Sequence, residues 1–115
     1  MARYRPGDIV LIAFPFTGHS GAKRRPALVL IDTGDADLVV ARVTGQAAQT
    51  EHDASLADWE QAGLALPSVA RLHKLATLDK RLVERKVGVL TEADWLRVRV
   101  KLRHLWRPLD IPTDA

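Results

Sequence analysis

The run DIVLIAFPF, residues 8–16, is apolar on both of its faces. In an extended chain Ile9, Leu11 and Ala13 point one way, and Val10, Ile12 and Phe14 the other. Such a strand must be covered above and below, so it belongs in the middle of a sheet. PALVLI, residues 26–31, has the same requirement. LVVARVTG, residues 38–45, fits a third strand, with Val39, Ala41 and Val43 on one face and Val40, Arg42 and Thr44 on the other. One long loop and the short turn DTGDAD join these runs, which predicts an antiparallel meander. RPGD, residues 5–8, is a turn leading into it. Pro15 has no N–H for a ladder, so pairing is expected to weaken or bulge there.

Further along, VARLHKLATL fits another strand, alternating Val69, Arg71 and His73 with Ala70, Leu72 and Lys74. SLADWEQAG fits one or two helical turns, with Ser55 as cap and Gly63 as stop. DKRLVERKVG fits either a helical turn or a short strand. The last element is the clearest, a helix from about Glu92 to Trp106. Thr91 caps it, with Asp94 as the partner of a capping box. Trp95, Val98, Leu102 and Leu105 recur at spacings of three and four, an apolar stripe. Pro108 prevents continuation. The expectation is one mainly β domain over residues 1–107, a small curved sheet or barrel closed on one side by the helix, and a tail over 108–115.

Composition excludes several chemistries. The 115 residues suit one domain and include no Cys, so disulfides, thiolate metal sites and Cys nucleophiles are out. The four His residues, 19, 52, 73 and 104, lie far apart, and the side chains of EHD at 51–53 diverge along an extended chain. No metal site is expected. The N-terminus has no signal-peptide core and no apolar run is long enough to span a bilayer, which fits a soluble cytoplasmic protein. Net charge is +3, but residues 71–107 carry 11 Lys/Arg against four acids. A basic region attracts polyanions, or else simply solvates a surface.

The loop GHSGAKRR, residues 18–25, carries the open question. Its cations Lys23, Arg24 and Arg25, with Ser20 and flexible glycines, suit phosphate oxygens. They equally suit the solubilising tip of a hairpin. The loop lacks GxxxxGK[ST] spacing and precedes a strand, so it is no P-loop. GHSGA is no nucleophile elbow either, because a strand follows where a helix is needed.

Taken together, RPGDIVLIAFPF, SGAKRRPALVL, ARVTGQ, GLALPSVARLHKLATLD and VGVLTEADWLRVRVKLRHL resemble the MazF/PemK toxins of type II toxin–antitoxin systems, in the family's order and across about residues 5–106. The resemblance implies a small SH3-like antiparallel β-barrel with short helices and a C-terminal α-helix. It implies a homodimeric, metal-independent endoribonuclease without cofactors that cuts single-stranded RNA. A cognate antitoxin would neutralise it, and operator DNA would be bound with that antitoxin. Carried over, Arg25 and Thr44 are the catalytic pair. Ser20, Lys23, Arg24, Arg42 and Gln46 are candidates for RNA binding. Many members carry a Glu beside the loop Ser, where this chain has GAKRR. The competing expectation is a non-catalytic SH3-like module that binds nucleic acid or antitoxin. The C-terminal cations Arg97, Arg99, Lys101, Arg103 and Arg107 fit a solvated helix whose C-terminus prefers positive charge.

Overall fold

A computed structural model describes residues 3–15 and 22–112. Strands β1 (Asp8–Pro15), β2 (Ala22–Ile31) and β3 (Asp37–Thr44) form the expected antiparallel meander. With β4 (Asp53–Leu56), β5 (Ser68–Asp79) and β6 (Val83–Val89) they make one six-stranded antiparallel sheet, in the order β4-β5-β3-β2-β1-β6. Helix α1 (Glu92–Leu105) follows β6. The β1–β2 ladder runs out to Pro15↔Ala22, so Pro15 does not interrupt it; the irregularities of β1 fall on its other edge, against β6.

The sheet curls strongly. Only Lys80–Leu82, a 3₁₀ turn, joins β5 to β6, yet β3, β2 and β1 lie between them. Across a flat sheet that gap would be about 19 Å, four strand spacings of roughly 4.8 Å. Four residue steps reach at most about 14 Å, and a 3₁₀ turn is shorter still. The sheet must therefore bend until the end of β5 approaches the start of β6. Among the described residues no ladder joins β4 to β6, so the expected barrel is a curled sheet rather than a closed one.

Curling gives the two faces different cover. One face buries Ile9, Leu28, Val43 and Leu72 against Val98 and Leu102 of α1, as the helical stripe requires. The other buries Val10, Ile12, Val29, Leu38 and Val40, with Leu82 and Val83 packed on them. Each of these aliphatic side chains contributes roughly 1.5–3 kcal/mol when fully buried. The two-faced run in β1 thus feeds both cores. A buried ion pair ties the second core shut: Lys80 Nζ lies 2.9 Å from Asp32 Oδ1, and Asp32 also accepts the N–H groups of Tyr4 and Gly34, both at 2.8 Å. These donors, Tyr4 N–H foremost, hold the Asp32 carboxyl down to about 2.

Two sequence expectations change. Ser55 lies inside strand β4 and caps nothing; residues 57–63 form tight turns ending at Gly63, whose φ of 86° only glycine adopts easily. Residues 79–88 hold both alternatives in turn, a 3₁₀ turn and then β6. The capping box is half formed. Asp94 N–H donates to Thr91 Oγ1 at 3.3 Å, but the Asp94 carboxylate does not return to the cap. It accepts instead from Ala57 N at 3.1 Å and Asp58 N at 2.8 Å, fastening the 57–63 turns to the helix.

Candidate nucleic-acid site

β2 and β3 pair as Ala27↔Arg42, Leu28↔Ala41 and Val29↔Val40. The ladder stops at Ala27 because Pro26, next along β2, has no N–H to continue it. Carried two residues further, the same register sets Arg25 opposite Thr44. Opposite residues share a face, so by this extension past the last paired residues both side chains fall on one face of the sheet. Pro26 also confines Arg25 to extended backbone. Their face is that of Val10, Ile12, Ala27 and Val40, away from helix α1.

Thr44 is buried, and its Oγ1 accepts the N–H of Gln46 at 3.2 Å. That bond orients the hydroxyl and leaves its proton available to donate. Gln46 itself is exposed at the start of the loop after β3. Arg25 is half-buried, and Arg42 is exposed one step back along the face of Thr44. Among the described residues neither arginine has an ion-pair or hydrogen-bond partner. Lys23 lies on the same face as Arg25 and is already engaged within the chain.

Arg24 is different. Its side chain leaves β2 on the opposite face and grips Glu84 of β6, with Nε at 2.8 and 2.7 Å from the two carboxylate oxygens. The structure does not bring it together with Arg25, Arg42 and Thr44. Ser20 lies outside the described residues.

The register adds two residues that sequence reasoning did not single out. β5 sets Arg71 opposite Arg42, and β4 sets Asp53 opposite Arg71. Arg71 Nε donates to Asp53 Oδ1 at 3.3 Å, and the Asp53 carboxylate also accepts Gln49 N at 2.8 Å and Thr50 N at 3.1 Å. Burial pushes the Asp53 carboxyl up, but the two backbone donors and the charge of Arg71 outweigh it, so it lies below the usual carboxylate value. The alternation of residues 69–74 placed Arg71 on the face of Val69; only the pairing of β5 with β3 shows that this is the face of Thr44.

The result is a polar end to one sheet face: Arg25, Thr44, Arg42, Arg71 and Asp53, with Gln46 at the rim. Guanidinium forks and an oriented hydroxyl over an apolar floor suit a phosphodiester. Three of the helix cations make contacts within the chain, away from this face. Arg97 pairs with Asp94, Lys101 Nζ donates to Glu51 O at 2.9 Å, and Arg99 stands 5.7 Å from the Trp95 ring centroid. Among the described residues no helix is long and apolar enough to cross a membrane.

The profile of a family described as PemK-like, MazF-like toxin of type II toxin–antitoxin system matches residues 5–106. Among solved structures, an endoribonuclease from a mycobacterial species superposes with a TM-score of 0.75 at 16% identity, covering 97% of this chain and 98% of its own. MazE-MazF (form II) from Deinococcus radiodurans gives a TM-score of 0.71 at 25% identity, covering 89% and 94%. A mycobacterial endoribonuclease in complex with its cognate antitoxin gives 0.69 at 20% identity, covering 96% and 100%. Comparison with curated proteins gave no match.

Proposed function

The chain belongs to the PemK-like, MazF-like toxins of type II toxin–antitoxin systems, and from that membership we propose that it is a metal-independent endoribonuclease that cuts single-stranded RNA in the cytoplasm. What supports this reading is the β2–β3 ladder, whose register, extended two residues past Ala27↔Arg42, brings Arg25 across from Thr44 on a face free of the helix. RNA supplies its own nucleophile. The 2′-oxygen attacks the adjacent phosphorus, the bond to the 5′-oxygen breaks, and the 2′-OH proton ends on that leaving oxygen. The products are a 2′,3′-cyclic phosphate and a 5′-OH. The protein's task is to align the attack and to stabilise charge on the phosphorane-like transition state.

Arg25 performs the second task as a fixed cation, since a guanidinium stays protonated in water and is a poor base. Thr44, oriented by Gln46 N–H, donates its hydroxyl proton to a phosphate oxygen. Arg42 and Gln46 hold the strand beside the cut. Lys23 of β2, on the face of Arg25, and Ser20 are further substrate contacts in this reading. Single-stranded substrates suit an open face, where bases can splay and stack while cations track the backbone. A cognate antitoxin partner and a homodimer complete the proposal; the MazE-MazF likeness supports the first.

The test is cleavage of a mixed-sequence single-stranded RNA in EDTA, with both new ends mapped. Cyclic phosphates and 5′-OH ends are expected. Binding without cleavage would leave the chain a non-catalytic module for nucleic acid or antitoxin.

A further inference from the structure

The RNA-cleaving reading uses Arg25, Thr44 and Arg42 but leaves Arg71 and Asp53, in the row of Arg42, unexplained. Asp53, Arg71, Arg42 and Ala27 lie side by side across β4, β5, β3 and β2. Ser55, Val69 and Thr44 form the neighbouring row, two residues further along β3 and so roughly 7 Å away, and the β2–β3 register extended past Ala27 adds Arg25 to it. That offset is comparable to the step between successive phosphates of an extended strand. Resting on that reading, we propose that Arg42 and Arg71 form a subsite for a second backbone phosphate of the single-stranded RNA, and that Asp53 is the positioning residue for Arg71.

Three observations carry it. Like charges directly opposite on a ladder repel, yet Arg42 and Arg71 are an opposite pair. An anion shared between them turns that repulsion into a bidentate grip. Second, the site is built in advance. The Arg71 side chain is 16% exposed and the Asp53 side chain 1%, so the guanidinium is held before any ligand arrives. Asp53 engages Nε, which leaves the terminal N–H groups of Arg71 to donate elsewhere. Third, the same carboxylate accepts Gln49 and Thr50 N–H, so it fixes Arg71 and also the loop that begins with Gln46. A purely structural ion pair would need neither a second arginine facing it nor an exposed one.

The experiment separates this subsite from cleavage. Binding of a 2′-O-methyl oligonucleotide, which cannot be cut, is measured by fluorescence anisotropy across a salt series. Each phosphate contact on a single strand contributes about 0.7 to the slope of log K against log salt. Arg71→Gln and Arg42→Gln are each expected to weaken binding several-fold and to lower the slope by about 0.7, with no further drop in the double variant. Asp53→Asn is expected to weaken binding while its slope falls less, because the cation remains but is no longer aimed. With cleavable RNA the Arg71→Gln and Asp53→Asn variants should raise KM and leave kcat within about twofold. Far-ultraviolet circular dichroism and urea midpoints confirm that each variant is folded, and Arg71→Lys, which keeps the charge, should recover part of the slope. An unchanged slope in folded Arg71→Gln would overturn the subsite. So would a change confined to duplex DNA, which would assign the pair to operator contacts. If the wild type binds but does not cut, the enzyme reading falls while the salt slopes still decide the subsite.

Discussion

Asp94 is the one fully buried carboxylate on the helix, and its replacement is the sharpest test of how α1 is attached. Its oxygens accept Ala57 N–H and Asp58 N–H and pair with Arg97. Thr91 Oγ1 donates to Asp58 Oδ2 at 2.7 Å, so cap and turn are fastened twice. Asp94→Ala orphans two backbone donors at about 1–3 kcal/mol each. It also removes a negative charge from the first helical turn, worth about 0.3–1 kcal/mol. Ala57 is exposed, so water recovers part of the first loss. The expected cost is about 2–4 kcal/mol, which at this chain length lowers the melting temperature by about 8–16 °C. Arg97 is half-exposed, and Arg97→Ala should cost below about 1 kcal/mol. Urea titrations of both variants at one protein concentration give the comparison. Equal losses would mean that the ion pair, and not the backbone tether, holds the helix; a loss below about 1 kcal/mol in Asp94→Ala would refute the tether outright.

Other consequences are as specific. Asp32, held down to about 2 against an unfolded value near 3.9, contributes stability that is fully present above about pH 4 and is lost as pH falls toward 2. Urea midpoints across that window should fall in the wild type, and Asp32→Asn should flatten the slope while lowering stability at neutral pH. Gly88→Ala would set a Cβ 2.7 Å from the carbonyl carbon of Ala62, and backbone cannot yield there as a flexible side chain can. A loss of about 1–3 kcal/mol is expected by calorimetry. Arg24→Ala breaks an exposed pair with Glu84 and should change stability by less than about 1 kcal/mol.

Much of this architecture is legible in the residues. Runs apolar on both faces predicted central strands covered above and below, and the spacing of Trp95, Val98, Leu102 and Leu105 predicted the helix; that the two faces carry separate cores emerges only in the structure. What stayed hidden depends on register or on distant partners. β4 is four residues long, too short for its alternation to outweigh a Ser cap followed by helix formers. The Asp94 carboxylate reaches backbone 36 and 37 residues away, which no local motif encodes. Between Arg71 and Leu75 the register of β5 on β3 slips, so simple alternation fails past Leu72. The division between Arg24 and Arg25 was accessible, since consecutive strand residues point to opposite faces. Three adjacent cations read as one patch concealed it. The naming of Arg25 and Thr44 as a catalytic pair came from the family resemblance, and the β2–β3 register, extended past Ala27↔Arg42, gives that pairing a physical basis.

That basis is tested most directly by the cleavage rates of Arg25→Ala and Arg24→Ala on one single-stranded RNA. The two residues are adjacent, identical in type and on opposite faces. Arg25→Ala should lose about 10²–10³-fold in kcat, the loss typical of removing one transition-state donor, while Arg24→Ala should remain close to wild type. Equal losses, or the larger loss in Arg24→Ala, would contradict the assignment of the site to this face of the sheet.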